Sequence, residues 1–166
     1  VSLIPLAGCG GASGEVLYVY NAGEYMDTSL NDEFTAKTGI RVVYDTFDTN
    51  ESMYALLKGG NVHYDVVIPS DYMVGKMLKE NMLQKLDMSK IPNYANIMDT
   101  FKNLPYDANN EYSVPYLWGV VGIIYNTEMV PEDEENIGSW ALLWDPDHEY
   151  DVLQFRNPRD AFATAQ

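Results

Sequence analysis

The sequence predicts an α/β protein built on a largely parallel sheet. Three observations carry that prediction. Short runs rich in β-branched and aromatic residues recur at residues 16–21, 40–44 and 65–69, the composition of strands buried on both faces. Stretches with apolar residues at helical spacing follow each run. Glycines stand where those stretches should stop. A β-α-β-α-β-α order of this kind implies parallel strands joined by right-handed crossovers.

Each element has its own justification. Residues 16–21 (VLYVYN), between Gly14 and Gly23, read as the first strand. Leu30, Phe34 and the stop at Gly39 outline an amphipathic helix, and residues 40–44 follow as the second strand. Asn50 is the expected cap of a helix that runs through Met53, Leu56 and Leu57 to Gly59 and Gly60. Residues 65–69 (DVVIP) form the third strand, and Met73, Val74, Met77 and Leu78 mark the face of a third helix. From 83 to 110 the pattern breaks into short helical pieces. Residues 113–126 (SVPYLWGVVGIIYN) then read as a long strand able to run from one domain into another. Ser139 is expected to cap a short helix to Trp144, and residues 151–155 to form a strand. Asn157, Pro158 and Asp160 supply a cap, a first-turn proline and an acid three residues on, the signature of a helix start.

The chain has 166 residues, enough for a real core, and 46% of them are hydrophobic, which sets it among globular rather than disordered chains. A net charge of −15 argues against nucleic acid as a partner, since phosphate neutralisation needs clustered Lys and Arg. It permits a cationic ligand, although solubility alone accounts for such a charge. His63 and His148 lack ligand spacing, so neither a metal nor any other cofactor is expected. No stretch has the length and apolarity of a membrane span.

The first nine residues, VSLIPLAGC, read as an apolar stretch ending in a lipobox. The expectation is a signal-peptide remnant at 1–8, a lipidated Cys9 and a flexible tether over 9–14. A free cysteine in an N-terminal coil is the plainer alternative.

Ligands of open α/β sheets gather at the carboxyl ends of strands. Three loops there carry unusual residues: 21–25 (NAGEY), 69–72 (PSDY) and 156–160 (RNPRD). Tyrosines, a serine hydroxyl and carboxylates together suit an alkylammonium: carboxylates take the charge, and aromatic faces hold methylenes and cation. Each residue has a structural alternative. Tyr25 and Tyr72 serve equally as packing aromatics, Ser70 as a helix cap, and Asp160 as the acid of a capping pair with Asn157. Glu24 and Asp71 read as solvated. Trp118, Trp140 and Trp144 read as core. There is no Gly-x-Ser-x-Gly elbow, no phosphate-cradling glycine loop, and no histidine beside a nucleophile, so no enzyme chemistry is expected.

The segments YNAGEY, KTGIRVVYDTFDTNESMYALL, YDVVIPSDYMV, SVPYLWGVVGIIYN and NPRDAF, in that order, resemble the polyamine-binding subgroup of bacterial extracellular solute-binding proteins. The likeness covers residues 15–166. It implies a type II periplasmic-binding-protein-like fold, with two α/β lobes joined by crossover strands and a cleft that closes on the ligand. On that pattern residues 15–112 are the first lobe, 113–126 a crossover strand and 127–166 the start of a truncated second lobe. The family chain is about twice as long, so this chain is expected to be its front half.

The function so implied is capture of spermidine or putrescine outside the membrane and delivery to the permease of an ABC importer. The implied protein is lipid-anchored in the periplasmic space or on the outer face of the cytoplasmic membrane, and monomeric when complete. By motif, Tyr25, Ser70 and Tyr72 fall at family ligand positions in the first lobe, and Asn157 and Asp160 in the second. The chain departs from the family at Ala22, where a Trp is usual, and at Arg156, where an Asp is frequent. Those departures keep open a relative that carries another small solute, such as an amino acid derivative or a metal ion. A small α/β enzyme is the alternative from another class.

Overall fold

A computed structural model describes residues 14–23, 25–144, 146, 151–154 and 157–165. The chain divides into two compact units between Tyr116 and Leu117. The signal remnant, the lipobox Cys9 and its tether up to residue 13, together with Glu24, His148 and Arg156, lie outside the described residues.

The first unit is built on a parallel sheet, as the alternating pattern predicts. Strands β1 (Val16–Ala22), β2 (Arg41–Phe47) and β3 (Val66–Ile68) lie in the order β2-β1-β3. β1 pairs with β2 from Val16–Arg41 to Ala22–Phe47, and with β3 from Val19–Val66 to Asn21–Ile68. The central strand buries Val19, Tyr20 and Asn21. Asp65 fixes where β3 begins. Its backbone N–H donates to the Tyr18 carbonyl at 2.9 Å, and its Oδ2 accepts from the Tyr18 N–H at 2.8 Å.

Helices α1 (Ser29–Thr38) and α2 (Asn50–Lys58) connect the strands, and α3 (Asp71–Lys79) follows β3. Gly39 ends α1 in the left-handed conformation (φ 76°), where its N–H reaches the Thr35 carbonyl at 2.8 Å. The cap of α2 is Thr49 rather than Asn50: the Thr49 hydroxyl accepts from the Ser52 N–H at 3.1 Å. Asn50 is the first helical residue, and its buried side chain turns to Ser70 instead. α1 differs from expectation as well. Leu30 and Phe34 are exposed, and the helix buries no residue. It lies beside β2 but leaves the face marked by Leu30 and Phe34 largely open.

Met53 from α2 and Met73 and Met77 from α3 close over Tyr20 and Phe47 to form the core. Tyr20 stacks on Tyr64 with ring centroids 4.4 Å apart and meets Phe47 edge-on at 5.1 Å. The Tyr64 hydroxyl donates to Asp45 at 2.9 Å. Burial, then that hydrogen bond and the Asp45 charge, push the Tyr64 phenol up to about 12.

Residues 83–112 are short 3-10 turns, at Met88–Lys90, Pro92–Asn96 and Asp99–Phe101. The buried Asp107 carboxylate gathers the end of this region. It accepts from the backbone N–H groups of Glu111, Tyr112 and Ser113 and from the Ser113 hydroxyl, at 2.8 to 3.1 Å. Beyond it, residues 113–126 are not a strand, contrary to the sequence expectation. Composition supplies strand propensity, but a strand exists only through its ladder. Among the described residues no strand pairs with this one.

In the second unit Ser139 caps a 3-10 turn at Trp140–Leu143 by accepting from the Ala141 N–H at 3.1 Å. Residues 151–154 carry no strand. Helix α4 (Pro158–Thr164) starts as predicted, with Asn157 Oδ1 accepting from the Arg159 N–H at 3.0 Å. Trp118, Trp140 and Trp144 are exposed rather than core; Trp118 keeps 70% of its surface.

Candidate ligand-binding site

Because the three strands are parallel and in register, Ala22, Phe47 and Ile68 end at one edge of the sheet. The turns after them therefore emerge together. This edge carries three of the residues singled out by sequence: Tyr25, Ser70 and Tyr72. The register is held from inside by Asn21, which is fully buried. Its Oδ1 accepts from the Ala22 N–H at 2.8 Å and its Nδ2 donates to the Tyr44 hydroxyl at 3.0 Å. Gly23, at φ 41°, then lets the chain turn off the sheet.

Tyr25 is an exposed side chain whose backbone carbonyl accepts from the Tyr116 hydroxyl at 2.8 Å. That bond ties the turn after β1 to the far end of the same unit. Ser70 stands at the N-cap position of α3. Its carbonyl accepts from the Met73 and Val74 N–H groups, but its hydroxyl makes no cap bond. The capping alternative for the Ser70 side chain is therefore not what the structure adopts. Ser70 Oγ accepts from Asn50 Nδ2 at 3.0 Å, and the Ser70 N–H donates to Asn50 Oδ1 at 2.9 Å.

Tyr72 is half-buried. Its ring packs on the methionine core, while its hydroxyl reaches Glu51 Oε1 at 2.9 Å. So the packing reading of Tyr72 holds for the ring and leaves the hydroxyl at the edge. Sequence reasoning did not single out Glu51. A carboxylate in a helix's first turn reads as a partner of the helix dipole, and nothing local announces that a tyrosine 21 residues on will meet it. Asp48 and Asp71, at the same strand ends, add negative charge.

In the second unit Asn157 spends its side-chain oxygen on the α4 cap. Asp160 lies in the first turn of α4 and is half-buried; among the described residues it makes no hydrogen bond back to Asn157. Its carboxylate is thus not consumed in the capping pair that the sequence also allowed.

Ala22 packs against the core and offers no aromatic wall. A separate groove of about 520 Å³ runs along α3, lined by Tyr72, Gly75, Lys76, Leu78, Lys79, Pro105 and Tyr106. Its two lysines oppose a cation. The Lys76 ammonium already sits 3.9 Å above the Tyr54 ring, within a cluster where Lys58 bonds Glu80 at 2.8 Å. Among the described residues no group of His, Cys, Asp and Glu is arranged to hold a metal ion.

Residues 29–165 match the family of bacterial extracellular solute-binding proteins. The chain is 43% identical over 155 residues to the spermidine/putrescine-binding periplasmic protein of Salmonella typhimurium, covering 93% of this chain and 44% of that one. It is 44% identical over 150 residues to the protein of the same name in Escherichia coli, covering 90% and 42%. Among solved structures it resembles the spermidine/putrescine ABC transporter substrate-binding protein PotD of Streptococcus pneumoniae. The TM-score is 0.70 and the identity 46%, over 81% of this chain and 41% of that one. It also resembles the Tp0655 lipoprotein of Treponema pallidum, with a TM-score of 0.72 and 39% identity, over 80% and 41%. The chain thus spans less than half the length of each of these relatives.

Proposed function

The chain belongs to the bacterial extracellular solute-binding proteins, and from that premise we propose that it forms part of a polyamine receptor. The complete protein captures spermidine or putrescine outside the membrane and passes it to the permease of an ABC importer. It carries out no chemistry on the solute. The observation that carries this reading is the convergence of Tyr25, Ser70 and Tyr72 at the carboxyl edge of the parallel sheet. That the relatives are named for spermidine and putrescine supports the choice of solute.

The chemistry agrees. A protonated polyamine is a chain of methylenes between groups that only donate hydrogen bonds. Tyrosine faces accept the methylenes and the cation, and hydroxyl and carboxylate oxygens accept the N–H groups. Within the second unit, Asn157 and Asp160 offer oxygen acceptors of the same kind. Desolvating a multiply charged cation takes several converging acceptors, so the complete protein is the binding unit.

Titration calorimetry of the complete protein with spermidine and putrescine tests the proposal. Binding of either supports it. Binding of a neutral or anionic solute, with no response to polyamines, replaces it by the reading that Ala22 favours, a receptor for another small solute.

Lipidation at Cys9 would hold the receptor at the outer face of the membrane. One acyl chain anchors only marginally, so a stable anchor carries more than one. The Cys9→Ser precursor should leave the membrane fraction; its retention there would count against the anchor.

A further inference from the structure

Most lysines of this chain meet a carboxylate: Lys37 with Glu33, Lys58 with Glu80, Lys85 with Glu111, Lys90 with Asp87 and Lys102 with Asp99. Lys76 and Lys79 are the two that do not among the described residues. In a chain of net charge −15 carboxylates are plentiful, so a pair of lysines without one is unusual. Both line the groove along α3. They stand three residues apart on one helix and are therefore neighbours on its surface. The Tyr54 ring holds the Lys76 ammonium at 3.9 Å but leaves its charge in place. The last turn of a helix favours positive charge, which accounts for their sign and not for the groove beside them.

The rest of the groove is apolar. Leu78, Pro105 and Tyr106 supply its other surface, and Gly75 keeps it open. A Cβ added at Gly75 would stand 3.4 Å from the Tyr106 Cβ, so a large side chain there would fill the space. At about 520 Å³ the groove is of the size that takes a few side chains or a small ligand.

We propose that this groove docks an acidic segment of a partner protein. Two carboxylates of the segment meet Lys76 and Lys79, and an apolar side chain beside them lies against Leu78, Pro105 and Tyr106. Charge complementarity selects the sign of the partner. The concavity and its apolar lining select a chain segment: a free anion has no use for that lining. An anionic bilayer is flat and is repelled by the net charge of the whole chain. The surface is separate from the proposed polyamine contacts of Ser70 and Tyr25, so failure of either reading leaves the other standing.

Fluorescence anisotropy of the complete protein, titrated against a labelled Glu-Leu-Glu-Glu-Leu-Glu peptide, tests the proposal. Binding should saturate and weaken as salt rises. The same peptide with Gln for Glu should not bind. Lys79→Glu should weaken binding at least about tenfold, because it sets like charges against each other. Gly75→Leu should weaken it as well, by filling the groove. Lys90→Glu makes the same change of charge at an exposed site elsewhere and should leave affinity within about twofold. No saturable binding, or equal losses in Lys79→Glu and Lys90→Glu, would overturn the proposal. So would Lys79-dependent binding to phosphatidylglycerol vesicles without any response to the peptide, which would replace the protein partner by a membrane.

Discussion

Asn50 and Ser70 exchange two hydrogen bonds across 20 residues of sequence. Asn50 Oδ1 accepts the Ser70 N–H at 2.9 Å, and Asn50 Nδ2 donates to Ser70 Oγ at 3.0 Å. The pair couples the first turn of α2 to the start of α3. It uses one side-chain amide as both donor and acceptor.

Asn50→Ala should therefore cost about 1–2 kcal/mol of unfolding free energy, since it removes two bonds from a buried residue. Asn50→Asp should cost less: it keeps the acceptor for the Ser70 N–H and adds a favourable charge at a helix N-terminus. Denaturant unfolding of the complete protein measures both. A stability unchanged in Asn50→Ala would show that solvent serves Ser70 equally well.

Much of this framework is legible in the sequence, and the failures share a cause. β1 to β3 stand out as short runs rich in β-branched and aromatic residues, although only the central β1 buries consecutive residues. Gly39 and Gly60, both left-handed at φ 76° and 72°, close the helices that follow β1 and β2 for a local backbone reason. Thr49 and Asn50 both suit a cap, and only the contact with Ser70 decides between them. Likewise the apolar run 113–126 has the composition of a strand, but pairing is a tertiary fact. Glu51 stayed invisible because its partner Tyr72 arrives through the fold, not through a motif. What sequence could not reach was each choice made by a residue distant along the chain.

The Asp65 carboxyl is held below the usual carboxylate range, first by the Tyr18 backbone N–H and then by the His63 side chain. A carboxyl with a depressed folded value stabilises the fold above its unfolded value. That contribution is lost as pH falls through the folded one. Wild-type protein should thus lose stability on acidification through and below the ordinary aspartate range. Asp65→Asn, which keeps an acceptor for Tyr18 but no charge, should flatten that part of the curve. Unfolding midpoints followed from neutral to strongly acid pH make the comparison; parallel curves would remove Asp65 from the account.

Asp107 is the anchor of the segment that leads to residue 113. Its Oδ1 takes the Glu111 N–H, and its Oδ2 takes the N–H groups of Tyr112 and Ser113 together with the Ser113 hydroxyl. Asp107→Ala should cost about 2–4 kcal/mol, as expected when several donors to a buried carboxylate are orphaned. Asp107→Asn should cost less, because its carbonyl can take over the Oδ2 position while its amide opposes only the Glu111 N–H. Amide hydrogen exchange at Tyr112 and Ser113 should quicken in Asp107→Ala, and unaltered exchange there would contradict the anchor.

Asp160 is the acid that α4 brings to the second unit without spending it on Asn157. If it meets the ammonium of a polyamine, Asp160→Ala should weaken binding by about 1–3 kcal/mol, the scale of a charged hydrogen bond. Asn157→Ala should lower stability as well as affinity, because Asn157 also caps α4. Calorimetric titration paired with thermal unfolding separates the two effects. An Asp160→Ala protein that binds like wild type would take Asp160 out of the site.

The central claim is that the carboxyl edge of the β2-β1-β3 sheet is one wall of a polyamine site. A crystal structure of the complete protein with spermidine tests it most directly. The account predicts a polyamine nitrogen at hydrogen-bond distance from Ser70 Oγ or the Tyr72 hydroxyl, with its methylenes against Tyr25. Spermidine seated elsewhere, with Tyr25, Ser70 and Tyr72 all out of contact, would contradict it.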